Sequence, residues 1–336
     1  MMKRLAILVL VAIMGTLAFG GMVSAKLKAE YKLTTNVQAA TIWGQGADKF
    51  AELVRERTKG AVNIKVYHNA VLTGGDQMRQ AEMVKNGAID MMLNSTINIA
   101  PTIGEFNVFA LPFLFPSYEA VDAAVASPAG ERLFQILEKY NMIGLGWGEN
   151  GFRELTNNVR PIVTPDDLKG LKIRVTVPIY VDIFRALGAN PIAMQWGEVF
   201  TALQTRTIDG QENPIAGIII PTKVYEVQKY LTDWHYSYDA LVLAVNKDSW
   251  ATIDPANQEI VRQCAKEAME FEVALSRSEL DKGLKFLAEK GMHITHLTPA
   301  QQKVFRDKTA DVYNKWAEKV GLDIVREFEK AVASTK

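Results

Sequence analysis

The apolar residues of this chain keep two rhythms. Val62, Ile64 and Val66 repeat every second position, which predicts a strand over residues 62–67. Phe50, Leu53 and Val54 fall on one face at helical spacing, which predicts a helix over residues 47–57. The same reading gives strands at residues 31–37, 89–93, 142–147, 171–175 and 241–245, with Phe152 to Thr156 as another. Helices are predicted after Gly74-Gly75 as far as Lys85, and over residues 180–187 and 197–204. Strands alternating with helices predict an α/β fold with largely parallel sheets.

Two longer-range patterns suggest a paired architecture. Residues 83–90 end in Ile89-Asp90 and are followed four residues on by Asn94. Residues 202–209 end in Ile208-Asp209 and are followed four residues on by Asn213. Each copy reads as a helix end, a turn and a strand whose far end presents an asparagine. Carboxyl ends of strands are where open α/β sheets bind ligands. The second pattern lies at residues 257–290, which contain no Pro and a single Gly, Gly283. Ile260, Cys264, Ala268, Phe271 and Leu275 repeat there with helical spacing. One unbroken helix would reach about 50 Å, long enough to run along two domains; a pair of helices broken near Ser276 or Gly283 is the alternative. The segments 148–151 and 233–238 are the expected crossings between domains.

The first residues change the picture. Lys3 and Arg4 precede an apolar run from Leu5 to Phe19, and Val23-Ser24-Ala25 supplies small residues. This predicts a signal peptide cut after Ala25 and a periplasmic destination. The run is shorter than the roughly 20 residues a membrane span needs, and no later run approaches that length. The remaining chain carries 36 basic against 38 acidic residues, with no basic concentration of the kind nucleic acid or an anionic membrane requires. The single Cys264 has no partner for an internal disulfide and reads as a small core residue.

Catalytic and metal motifs are absent from the sequence. There is no H-E-x-x-H, G-x-S-x-G or phosphate loop. His293 and His296 sit three apart in strand-like sequence, which points them to opposite faces. Gly144, Gly146 and Gly148 lack the helix a dinucleotide loop needs, so no metal or cofactor is expected. What stands out is Arg174 in Lys172-Ile173-Arg174-Val175, opposite the apolar face of its strand. A guanidinium matches a carboxylate bidentately. Its partner is either a ligand or an internal acid such as Asp166, Asp167 or Glu198. Arg153 stands before the polar run Thr156-Asn157-Asn158. Gln211-Glu212-Asn213-Pro214 is a dense polar segment, and Pro214 is placed to open a helix with Asn213 at its N-terminus. Trp196 and Phe200 lie four apart around Glu198 and read by themselves as helix core.

Several runs resemble the DctP-type solute-binding proteins of tripartite ATP-independent periplasmic (TRAP) transporters. They are Gly151-Phe-Arg153-Glu-Leu-Thr156-Asn157-Asn158, Thr164-Pro-Asp-Asp-Leu-Lys-Gly170-Leu-Lys-Ile-Arg174-Val, Gly188-Ala-Asn190-Pro191, Met194-Gln-Trp196-Gly-Glu198-Val-Phe200 and Ile208-Asp209-Gly210-Gln211-Glu212-Asn213-Pro214. The resemblance implies a two-lobed fold that closes on its ligand, with a long helix along both lobes. It divides the chain into a signal peptide (1–25), lobe I (26–150 and 237–278) and lobe II (151–236 and 279–336). It makes Arg174 the arginine that grips a ligand carboxylate, Arg153 a second arginine reaching the ligand, Asn213 an assisting amide and Trp196 an aromatic wall. Asn36 falls where some members use a polar contact. Ser95 stands where sialic-acid binders carry Glu, which argues against that ligand; Ser95 and Glu198 complete the candidate binding set. Trp43, Trp147 and Trp196 would together make an aromatic-rich cleft. The implied ligand is a small organic acid: a sugar acid, a dicarboxylate or an aromatic acid. The implied partner is a TRAP permease with a small and a large membrane subunit, and nothing calls for more than a monomer. The alternatives are a receptor serving a sensor kinase, or a periplasmic lyase or isomerase.

Overall fold

The computed structural model describes residues 26–335, so the expected signal peptide lies outside the described residues. The ten strands among them are β1 (Tyr31–Thr34), β2 (Ile64–Tyr67), β3 (Met91–Ser95), β4 (Met142–Asn157), β5 (Lys172–Val175), β6 (Asn190–Ala193), β7 (Gly210–Pro214), β8 (Tyr230–Asp233), β9 (Tyr238–Asn246) and β10 (His293–His296). They form two half-sheets that share β4. On one side the order is β2-β1-β3-β9-β4; on the other, β4 lies between β7-β5-β6 and β8-β10. We call these sides lobe I and lobe II.

The sheets are mixed, where the alternation of elements predicted them largely parallel. β1 pairs in parallel with β2 and β3, as β5 does with β6 and β7 and β10 with β8. The pairs made by β9 and β4 are antiparallel. β4 carries the chain out of lobe I and β9 begins where the chain has returned, so the two strands run in opposite directions.

β4 is one 16-residue strand, where the sequence reading separates two strands at residues 148–151. The glycines do not end it. They let it slip and bend, with register shifts between Gly144 and Gly146 and between Glu149 and Gly151. Gly151 has φ +114°, a conformation few side chains tolerate. The return crossing runs through Trp234–Ser237, between β8 and β9.

The long helix is unbroken over 35 residues, Pro255–Glu289. Asp254 caps it by accepting the Asn257 N–H at 3.0 Å, and Pro255 takes the first turn, where its missing N–H costs nothing. Val261, Cys264, Ala265, Ala268 and Met269 pack in the lobe I core with Trp43, Ala47 and Phe50. Leu287 packs in the lobe II core with Ile215 and Ile219. Gly283 does not break the helix; a Cβ there would come within 2.7 Å of Ile220 Cδ1, so its lack of a side chain permits close packing on lobe II. One detail departs from the expected apolar face. Phe271 is exposed, while Glu272 is fully buried and accepts the Glu149 N–H at 2.8 Å.

The C-terminal helices touch both lobes. Arg132, in the helix Pro128–Lys139, pairs with Asp323 and Glu327 of the helix Leu322–Ala333. Trp316 Nε1 donates to Asp182, in the helix Pro178–Ala186, at 2.8 Å. No helix among the described residues is long and apolar enough to cross a membrane.

Candidate functional site

The internal repeat positions the site. In each lobe a helix ends, a turn with one left-handed residue follows (Gly87 in the first copy, Arg206 in the second), and a short strand carries an asparagine at its penultimate residue: Asn94 in β3 and Asn213 in β7. The aspartates of the two copies play one role. Asp90 Oδ2 accepts the Lys32 N–H of β1 and Asp209 Oδ2 accepts the Lys172 N–H of β5, both at 2.8 Å. β7 contains the whole run Gln211-Glu212-Asn213-Pro214, which was expected beside a strand. Pro214 is the cap of the five-residue π-helix Ile215–Ile219 rather than a residue of its first turn, so Asn213 sits near the end of β7, one residue before that cap.

Between the lobes lies a cavity of about 30 Å³. Lobe I contributes Asn36, Val37, Trp43, Gln77, Ser95, Ile97 and Asn98; lobe II contributes Arg174, Thr176, Trp196, Asn213 and Ile218; β4 and β9 contribute Asn150, Arg153 and Asp239. Six of the seven residues anticipated from sequence therefore meet here. Glu198 does not. It is in the first turn of the helix Trp196–Gln204 but on its exposed side, away from the cavity. Trp147 also lies elsewhere, half-buried against the core and stacked on Phe134 at 4.6 Å, so the cleft holds two of the three tryptophans.

Two arginines face the cavity in different electrical states. Arg153 is buried and committed. Its Nε donates to Glu212 Oε2 at 2.5 Å, its Nη1 to Asp239 Oδ2 at 2.9 Å, and its Nη2 to Glu212 Oε1 at 2.9 Å and Asn213 Oδ1 at 3.1 Å. Burial opposes the Arg153 charge, but Glu212 and Asp239 outweigh it and hold the guanidinium protonated. Its work is to fix Asn213 and Asp239. Arg174 is only 1% exposed and makes no ion pair among the described residues. Asp166 is paired with Lys169, Asp167 caps the Val163 and Thr164 N–H groups, and Glu198 points away. Arg174 Nε and Nη2 both donate to Met194 O, at 3.0 and 2.8 Å, which leaves Nη1 uncommitted. Burial pushes its pKa down to about 10 even though Glu212 opposes the shift. Trp196 flanks it, with the guanidinium carbon 5.6 Å from the ring centroid. A buried cation without a carboxylate is costly, and an anion entering the cavity would supply the missing partner.

The lobe I wall is a chain of amides. Trp196 N–H donates across the cleft to Gln77 Oε1 at 2.9 Å, and Gln77 Nε2 donates to Asn98 Oδ1 at 2.7 Å. Asn98 Nδ2 and Asn36 Nδ2 both donate to Asn94 Oδ1, at 3.3 and 2.7 Å. Gln195 Nε2 makes a second cross-cleft bond, to Asp76 Oδ1 at 3.3 Å. Ser95 Oγ donates to Asp239 Oδ1 at 2.6 Å, and Asn150 Nδ2 donates to Oδ2 at 2.9 Å. Burial raises the Asp239 pKa, against the pull of Arg153 and these two donors.

Sequence reasoning missed Asp239, Glu212, Gln77, Asn98 and Asn150. Asp239 left a trace, as a lone acid heading the apolar strand Tyr238–Asn246. Gln77 left none.

A second ionisable cluster lies outside the cavity lining. His235 Nε2 is 3.2 Å from Asp233 Oδ1 and 3.4 Å from Glu154 Oε1, and His296 Nδ1 is 2.7 Å from Asp233 Oδ2. Glu154 Oε2 accepts the Trp234 and His235 N–H groups. Burial pushes Glu154 up to about 7. Burial disfavours the His235 charge, but Glu154 and Asp233 outweigh it and bring the imidazole up to about 9. These groups hold the lobe-to-lobe crossing at Trp234.

The chain has known relatives over most of its length. The family described as bacterial extracellular solute-binding protein, family 7 (DctP), matches residues 33–319. The C4-dicarboxylate-binding periplasmic protein DctP of Rhodobacter capsulatus is 30% identical over 331 residues, 97% of this chain and 98% of its own. The 2,3-diketo-L-gulonate-binding periplasmic protein YiaO of Escherichia coli is 35% identical over 262 residues, 78% of each chain. A crystal structure of a TRAP periplasmic solute binding protein from Ralstonia eutropha H16, with bound (S)-2-acetolactate, superposes with a TM-score of 0.90. It is 43% identical and covers 91% of this chain and 99% of that one.

Proposed function

The chain belongs to family 7 of the bacterial extracellular solute-binding proteins, the DctP family, and on that footing we propose that it captures a small organic acid between its lobes and hands it to a TRAP permease. The observation that carries this reading is Arg174, a buried guanidinium of the cavity lining with no carboxylate partner among the described residues and an uncommitted Nη1. A ligand carboxylate would accept its remaining N–H groups, with Trp196 covering the pair and excluding water. Low local polarity strengthens such a contact.

Closure follows from the same geometry. Trp196 and Gln195 of lobe II bond to Gln77 and Asp76 of lobe I. A ligand held by Arg174 on one side and by the amide wall on the other interacts with both lobes only when they meet, so it shifts the population towards the closed form. The closed protein, in the periplasm, would then dock on a permease of one small and one large membrane subunit. The relatives named above are described as binding acetolactate, diketogulonate and C4-dicarboxylates, all of them carboxylates.

A thermal-shift screen of small organic acids tests the proposal. An acid at about 100 times its dissociation constant stabilises the fold by about 2.7 kcal/mol. The expected result is a rise in melting temperature with a restricted set of acids and none with the matching alcohols. Equal responses to acids and alcohols would reject it.

A further inference from the structure

We infer that the ligand is a hydroxylated monocarboxylate, and that the closed cleft rejects a second carboxylate. This rests on the carboxylate reading of Arg174 and narrows it to a substrate class.

A side-chain amide can present either its oxygen or its nitrogen, and its hydrogen bonds decide which. Here the decision starts from a backbone N–H, which can only donate. Trp196 N–H bonds Gln77, so the Gln77 oxygen faces Trp196 and its nitrogen faces Asn98. Asn98 must then accept with Oδ1 and donate with Nδ2 to Asn94 Oδ1. Asn36 reaches the same Asn94 oxygen and must use its Nδ2. The Asn36 oxygen is thereby left buried and without a partner among the described residues, on a side chain that lines the cavity. Asn36 itself is 92% buried, since its exposure is 8%. A buried acceptor of this kind calls for a donor on the ligand. A hydroxyl supplies one; a carboxylate does not.

Arg153 is already matched by Glu212 and Asp239, so Arg174 is the one lining cation without an anionic partner among the described residues. A second carboxylate would meet the Asn36 oxygen and the Asp239 charge with no cation to receive it. An ammonium fares no better beside Asp239. Its Oδ1 already takes Ser95 and Thr96, and its Oδ2 takes Asn150 and Arg153.

The cross-cleft bond also makes the polarity conditional. Asn36 is locked as an acceptor only while Trp196 of lobe II touches Gln77 of lobe I. Closure and selection of a hydroxyl are therefore one event.

Calorimetric titration tests this with three sets of probes. One holds hydroxylated monocarboxylates (lactate, glycerate, erythronate, 2,3-dihydroxy-3-methylbutanoate), one their deoxy counterparts, and one dicarboxylates (malonate, succinate, malate). The tightest ligand is expected among the hydroxylated monocarboxylates, roughly tenfold or more tighter than its deoxy counterpart and tighter still than every dicarboxylate. Asn36→Ala should reduce the hydroxyl preference at least fivefold. A dicarboxylate that binds tightest, and loses binding in Arg174→Ala, overturns the inference and leaves the carboxylate reading standing. A hydroxyl preference unchanged in Asn36→Ala overturns it as well. Failure of every acid to bind removes both.

Discussion

Arg174→Ala separates a ligand anchor from a structural arginine, because the two roles predict opposite pairs of results. In the ligand-free protein Arg174 spends two donors on Met194 O and leaves three N–H groups for the cavity. Two bonds to a carboxylate, at about 1.5–3 kcal/mol each, come to roughly 3–6 kcal/mol. At about 1.4 kcal/mol per tenfold, the variant should bind at least 100-fold more weakly. Its fold should not suffer in proportion. Burial has pushed the Arg174 pKa below the usual arginine range to about 10, a burden on the order of 3 kcal/mol that the substitution relieves. The space left by the side chain opposes this gain. The melting temperature of the ligand-free variant should therefore equal or exceed that of the wild type. Titration calorimetry with the tightest acid, paired with thermal denaturation without it, reads both. Arg174→Lys keeps the charge but loses the fork, and should also bind at least tenfold more weakly. An affinity loss below threefold together with a large fall in melting temperature would refute the reasoning.

Three further outcomes follow from the same contacts. Gln77→Ala removes the Trp196–Gln77 bond and the lead of the amide chain; stopped-flow release should quicken by roughly tenfold with little change in association, as one or two hydrogen bonds lost from the closed state alone imply. Glu272 is fully buried, and burial raises its pKa well above the usual carboxylate range. Its folded form binds a proton that the unfolded chain releases, so wild-type stability falls as pH rises above the carboxylate range. Glu272→Gln keeps the acceptor for the Glu149 N–H and should gain melting temperature relative to wild type between pH 5 and pH 8. His235, raised to about 9, contributes stability that is fully present below about 6.5 and is lost as pH rises through 9; Glu154, raised to about 7, adds to the same decline from lower pH. The melting temperature should fall as pH rises across that window, and His235→Gln should flatten the upper part.

What the sequence reveals and conceals here has a physical pattern. Arg174 is legible because β5 alternates, and a guanidinium opposite Ile173 and Val175 demands an explanation. Asn94 and Asn213 are legible because helix end, turn and strand recur at equal spacing. The Arg153–Glu212–Asp239 network is not, because its members are 59 and 86 residues apart and meet only when β4 pairs with β7 and β9. That pairing gives Arg153, which lines the cavity and was expected to reach the ligand, internal partners in Glu212, Asp239 and Asn213. β4 reads as two strands because glycine breaks the alternation without breaking the hydrogen-bond ladder. Glu198 misleads because a first-turn position does not say which way the helix faces, and here it faces solvent. Gln77 and Asn98 carry no local pattern, since their importance lies in a bond to the opposite lobe.

The central claim is that the cleft recognises a carboxylate through an arginine that has no ion-pair partner among the described residues. The most direct measurement titrates the wild-type protein with its tightest acid and, separately, with the primary amide of that acid, which matches its shape and lacks its charge. The account predicts one-to-one binding of the acid and an amide at least 100-fold weaker. Equal affinity for the two would contradict it.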